Sequence, residues 1–211
     1  MYDSSAVMTE DSAIAPVSKK GALRQRMAED VMDAHARGEI RAAALRSSDY
    51  YGPGVTGSAL GDMVFGRLVA GKEAQVSGSL SQPHSFAYIE DVGRAAAELG
   101  IRGGVLGRAW IAPHASARTQ GQMVEAACGA LGIPPRMTSI APMMMHLAGL
   151  FIPQAKAGVE MMCEFTKPFV VHSGRIEREL GLRATPIETG IERTVRWYAE
   201  HAETETLRVP L

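Results

Sequence analysis

One stretch restricts the fold more than any other: a helical pattern, closed by glycine, that runs straight into a strand of small residues. In SKKGALRQRMAEDVMDAHARG (18–38), Leu23, Met27, Val31 and Met32 fall on one helical face and Gly38 closes the pattern. EIRAAALR (39–46) follows at once, and its small apolar residues suit a strand of a parallel sheet covered on both faces. A helix followed by such a strand is the second half of a βαβ unit. The polar run RSSDYYGPGV (46–55) then leaves the strand through a Tyr-Gly-Pro turn and reads as the rim of a binding site.

The alternation continues along the chain. Helical patterns are predicted over 58–71 and 90–100, with Asp91 as the cap of the second. Short strands are predicted over AQVSG, SFAYI (85–89) and GVLGRAWIAP (104–113). TQGQ (119–122) is a Thr-x-x-Gln capping box that opens a helix to about Gly132. TPIE (185–188) combines a Thr cap, a Pro at the first helical position and a Glu at the third. Its helix places Ile187, Ile191, Val195 and Tyr198 on one face. Residues 1–17 read as an irregular acidic lead-in, and no repeat or low-complexity linker interrupts the chain. The predicted fold class is α/β.

Composition narrows the partners. With 211 residues the chain can build one sizeable core or two small lobes. The 22 basic and 23 acidic residues nearly cancel, and no basic stretch carries interleaved aromatics, which argues against nucleic acid. IAPMMMHLAGLFIP (140–153) is too short for a bilayer, and the N-terminus has no signal-peptide pattern, so a cytoplasmic protein without membrane partners is expected. Cys128 and Cys163 lie outside any CxxC pattern and read as two reduced thiols. The six histidines share no ligand spacing with each other or with the cysteines, so no metal site is expected.

A doubly wound domain opens with a strand, a glycine-rich turn and a helix whose N-terminus holds a pyrophosphate. No G-x-G-x-x-G follows a strand here. Yet PVSKKGALRQRMAE, LRSSDYYGPGV, PHSFAYIEDVGRA, RAWIAP and TPIETGIERTVRWYAEH, in this order, resemble the NAD-dependent epimerase/dehydratase family of extended short-chain dehydrogenase/reductases. The resemblance covers the C-terminal two-thirds of that family's length. It implies a partial Rossmann-type parallel sheet with helices, plus a smaller, mostly helical substrate-side domain. On that basis 1–56 with 90–112 would belong to the nucleotide-binding domain, and 57–89 with 113–211 to the substrate side. The family's N-terminal half, roughly 100 residues of βαβ units, would lie upstream of Met1.

The resemblance also assigns site residues. The family's helix carries a Tyr-x-x-x-Lys pair, whose i, i+4 spacing stacks two side chains on one face. Aligning Pro16, Ser18 and Gly21 puts Lys20 at the Tyr position and Arg24 at the Lys position. Two readings stay open: a lysine acid tuned by Arg24 and burial, or a basic surface with no proton-transfer role. Arg24, Ser47 and Ser48 would lie along NAD or NADP. Asp49 stands where the family has an Asn facing substrate, and Tyr51 shapes the turn beside it. His84 stands where the family has an Arg that contacts a diphosphate in sugar-nucleotide members. Asp for Asn and His for Arg both disfavour an anionic ligand. Taken alone, His84 reads as a polar surface residue. Met143–Met145 would line a plastic pocket or belong to ordinary core.

Three functional readings follow. The first is an NAD(P)-dependent oxidoreductase or epimerase acting on a small carbonyl or hydroxyl substrate other than a nucleotide sugar, present as an N-terminally truncated chain. The second is a non-catalytic remnant or partner-binding module. The third is a short protein that pairs with a separate Rossmann half. A homodimer that buries the truncated sheet edge is expected in isolation.

Overall fold

The computed structural model describes residues 7–16, 18–140 and 165–206, with side chains as far as His201. Helix α1 (Lys19–Ala36) begins within the predicted stretch and is capped by Ser18, whose hydroxyl accepts from the Gly21 N–H at 2.9 Å. It feeds β1 (Ala44–Arg46), shorter than the predicted 39–46, and then β2 (Asp49–Tyr51). After α2 (Arg67–Val69) come β3 (Ala74–Ser77), β4 (Pro83–His84), β5 (Phe86–Tyr88) and α3 (Ile89–Ile101). Strands β6 (Ala109–Ile111) and β7 (Arg118–Thr119), helix α4 (Gln120–Leu131) and strand β8 (Met137–Ile140) complete the first part. Helices α5 (Gly174–Leu180) and α6 (Ile187–Thr206) follow.

Pairing is mostly parallel, as the crossover pattern demands. Strand β1 pairs with β6, β2 with β5 and β3 with β8, all parallel, while β4 and β7 are antiparallel. The registers that matter for the site are Arg46 opposite Ile111 and Asp49 opposite Phe86. The chain is α/β with short parallel sheets and helices, in a Rossmann-like arrangement.

Two apolar clusters hold these layers. One gathers Tyr51, Phe65, Phe86, Tyr88 and Met123 against the inner face of α6, where Ile187, Ile191, Val195 and Tyr198 are all buried as their spacing predicted. The other surrounds Trp110 with Ala95, Leu99, Val105, Ile176 and Leu182. The indole N–H of Trp110 is satisfied by the Val105 carbonyl at 2.9 Å, so its full burial strands no polar group.

Three expectations need correction. The predicted helix over 58–71 is a π-helical turn over Gly61–Gly66 that passes into α2. Gly61 sits so close to the Thr56 carbonyl that a Cβ would lie 2.0 Å from its oxygen, and the Phe65 N–H reaches back five residues to the Leu60 carbonyl at 3.2 Å. Asp91 does not cap α3. It is fully buried, accepting from the Thr185 N–H (2.6 Å), the Thr185 hydroxyl (2.8 Å) and Arg94 (2.7 Å), which ties α3 to the segment entering α6. The Thr185 N–H and hydroxyl both donate to Asp91. Part of the acidic lead-in is also structural: Met8 is buried, its N–H bonded to the Val170 carbonyl, and the Glu10 carboxylate accepts from the Ile111 N–H at 3.0 Å. The Met143–Met145 stretch and Cys163 lie outside the described residues, whereas Cys128 is a buried free thiol.

Candidate functional site

In open α/β sheets, ligands bind beyond the carboxyl ends of the strands. Strands β1 and β6 end side by side at Arg46 and Ile111, so the residues just past them meet. The Ser48 hydroxyl lies 2.9 Å from His114 Nε2 and 2.5 Å from the Ser85 carbonyl, to which it donates, and the Ser48 N–H points at Nε2 from 3.3 Å. His114 Nδ1–H donates to the Ala112 carbonyl at 2.6 Å, which fixes the tautomer: Nε2 is bare and accepts from the Ser48 N–H, the single hydroxyl proton of Ser48 being directed to the Ser85 carbonyl. Burial pushes the His114 pKa down to about 4, with the neighbouring His84 acting in the same direction, so its imidazole is neutral at physiological pH. The Ser173 hydroxyl accepts from the His114 N–H at 3.0 Å and steadies the loop.

A second couple stands alongside. His84 Nε2 meets Asp49 Oδ2 at 2.8 Å. His84 is 2% exposed, not a surface residue. Its ring is gripped by Phe86, Phe165 and Phe169 at centroid distances of 4.7, 4.8 and 5.0 Å, and its backbone pairs with Arg118 and bridges to Phe169. Adjacent loops line an open cleft of about 390 Å³ that includes His114, Ser116, Val171, His172, Ser173 and Glu177.

The structure thus brings together Ser48, Asp49 and His84 from the sequence-predicted set, with Ser47 beside them. The Ser47 hydroxyl is buried without a hydrogen-bond partner among the described residues. Lys20 and Arg24 are exposed on α1 and are not part of this hydrogen-bonded cluster. Tyr51 is a core residue: it is buried, packs on Tyr88 at 5.4 Å and has its phenol pKa pushed well up, chiefly by burial, so it offers neither a ligand contact nor a proton. Sequence reasoning missed His114, Ser85 and Ser173. The signal for His114 is its place three residues past β6, matching Ser48 two residues past β1, but it is readable only once the two strands are known to be neighbours. Among the described residues no group of acidic, Cys or His side chains has the arrangement of a metal site, and no helix is long and apolar enough to cross a membrane.

No protein-family model and no curated protein matches the sequence. Solved structures do match. The dTDP-glucose 4,6-dehydratase of Bacillus anthracis, solved with NAD, superposes with a TM-score of 0.74 at 15% identity, over 95% of this chain and 58% of that one. The UDP-glucose 4-epimerase of Thermotoga maritima, solved with UDP-glucose, gives 0.76 at 15% identity, over 96% and 60%. The UDP-glucuronic acid 4-epimerase of Bacillus cereus, solved with NAD, gives 0.69 at 17%, over 94% and 58%. The chain spans under two-thirds of the length of each of these enzymes and shares its fold with them over nearly all of its own.

Proposed function

We propose that this chain is the C-terminal portion of an NAD(P)-dependent oxidoreductase or epimerase that acts on a small carbonyl or hydroxyl substrate. The observation that carries this reading is the meeting of Ser48 and His114 just past the carboxyl ends of the parallel strands β1 and β6, with the Asp49–His84 pair next to them, within a fold shared with enzymes solved with NAD. The unpartnered Ser47 hydroxyl fits a polar edge of a nicotinamide, so Ser47 and Ser48 would lie along that part of the cofactor, and Arg24 would hold a ribose or phosphate oxygen. The cofactor would supply hydride transfer. His114 and Ser48 set the loop that forms one wall, and Asp49 presents a carboxylate to the ligand. In this reading 1–56 with 90–112 form the nucleotide side, and 57–89 with 113–211 the substrate side.

The chain contains no glycine-rich turn to cradle a pyrophosphate, so the 211-residue chain alone is expected not to bind NADH at micromolar levels. Supplying an upstream Rossmann segment by co-expression should restore saturable NADH fluorescence. The encoding DNA should continue open upstream of Met1 through a strand, a glycine-rich turn and a helix. Tight NADH binding by the chain alone would point to a different phosphate loop. Absence of binding in the joined form would favour the second reading, a non-catalytic or partner-binding half, which the exposed Lys20/Arg24 pair supports.

A further inference from the structure

Strand β1 has one covered edge and one open edge. In a parallel ladder, alternate residues turn their N–H and C=O groups to opposite sides. Ala42, Ala44 and Arg46 turn theirs toward β6. The Gly107 N–H donates to the Ala42 carbonyl at 2.8 Å, the Ala44 N–H to the Arg108 carbonyl at 3.1 Å and the Ala112 N–H to the Arg46 carbonyl at 2.8 Å. Ala43 and Leu45 therefore face the other way, and neither has a backbone partner among the described residues. Both are only half-buried. They also line a groove of about 340 Å³ between β1 and α3, together with Ala96, Leu99, Gly100 and Leu106. Parallel strands are stable where neighbours cover them, and this edge and groove are uncovered. The direction of a neighbour follows from α1, which runs straight into β1. A helix that enters a parallel strand comes from a strand lying alongside it, by a right-handed crossover. Strand β6 holds one side of β1, so that neighbour belongs on the open edge. The described residues before α1 do not fill it: Met8 bridges to Val171, and the Glu10 carboxylate accepts from the Ile111 N–H.

We propose that the open edge of β1, with the groove beside it, is the docking surface for the nucleotide-binding unit. That unit adds a parallel strand through the N–H and C=O groups of Ala43 and Leu45, and sets apolar side chains in the groove. The size of the occupant fits. This chain covers 58% of the Bacillus anthracis dehydratase and 60% of the Thermotoga maritima epimerase, so about two-fifths of each enzyme has no counterpart here. The small residues Ala43, Ala96 and Gly100 leave the groove room for the side chains of such a layer. The proposal rests on the reading given under the proposed function and names the surface by which its Rossmann segment attaches.

Residue-resolved amide hydrogen exchange tests it without any substitution. Two samples are compared: the 211-residue chain diluted to monomer, and the protein as its source makes it, with whatever polypeptide continues or accompanies it. The Ala44 amide, bonded to β6, should be protected in both. The Ala43 and Leu45 amides should exchange freely in the isolated monomer and at least about 100-fold more slowly in the native form. Free exchange of both amides in the native form, or protection of both already in the isolated monomer, would overturn the proposal. Protection that reaches the native level as the isolated chain is concentrated would put a second copy on this edge, and would overturn it too. NADH binding by the native form is read separately. A form that binds NADH with free Ala43 and Leu45 amides refutes this surface and leaves the functional reading intact. A form that protects them without binding NADH does the reverse.

Discussion

At the scale of single residues, His114 should make stability fall as the solution is acidified. Its folded pKa of about 4 lies below its ordinary 6.5, so between those values the unfolded chain binds a proton that the folded chain refuses. Stability is then fully present above about 6.5 and is lost as pH falls toward 4. The difference between pH 7 and pH 5 is expected to be about 2 kcal/mol from this group. Urea melts at the two pH values measure it, and His114→Asn, which cannot titrate, should flatten the dependence. An unchanged slope in that variant would assign the acid sensitivity to another group.

At the scale of elements, two buried contacts test how α6 and the segment entering it are held. Gly190 faces the Tyr51 ring so closely that a Cβ would lie 2.6 Å from its hydroxyl oxygen. Gly190→Ala would gain about 1 kcal/mol of helix propensity but overpack the core by roughly 1–3 kcal/mol. Tyr51 is buried and cannot swing aside, so the second effect wins and the melting temperature should drop by a few degrees in calorimetry. Asp91 joins α3 to the start of α6. Asp91→Ala would leave the Thr185 N–H and hydroxyl without their acceptor and should cost about 3 kcal/mol in a denaturant melt. A loss below about 1 kcal/mol would mean that water replaces the carboxylate.

At the scale of the whole molecule, α1 buries none of its described residues. Leu23, Met27 and Val31, spaced four residues apart, are 49%, 54% and 39% exposed. Such a stripe, beside a strand β1 that has one partner among the described residues, favours self-association of the isolated chain. Light scattering should show dimers or larger species. Replacing Leu23, Met27 and Val31 together by Gln should shift the chain toward monomer while changing stability little, because these side chains are already in water. A monodisperse wild-type monomer would remove the stripe as the cause.

The sequence by itself determined what is local. The Thr119/Gln122 box and the inner face of α6 are decided by residues within a few positions of one another, and each formed as read. The five ordered motifs also pointed to the shared fold. What the tertiary structure decided is which polar residues meet. His84 reads as a surface residue until three phenylalanines, two of them about 80 positions downstream, close over it. Asp91 reads as a cap until Thr185 reaches it from 94 positions away. Ser48 and His114, 66 positions apart, become a couple only because β1 and β6 pair in parallel with Arg46 opposite Ile111. A side chain's local pattern fixes its direction on its own element, but its partner depends on strand order and register, which are set by burying apolar faces that lie far apart in the chain.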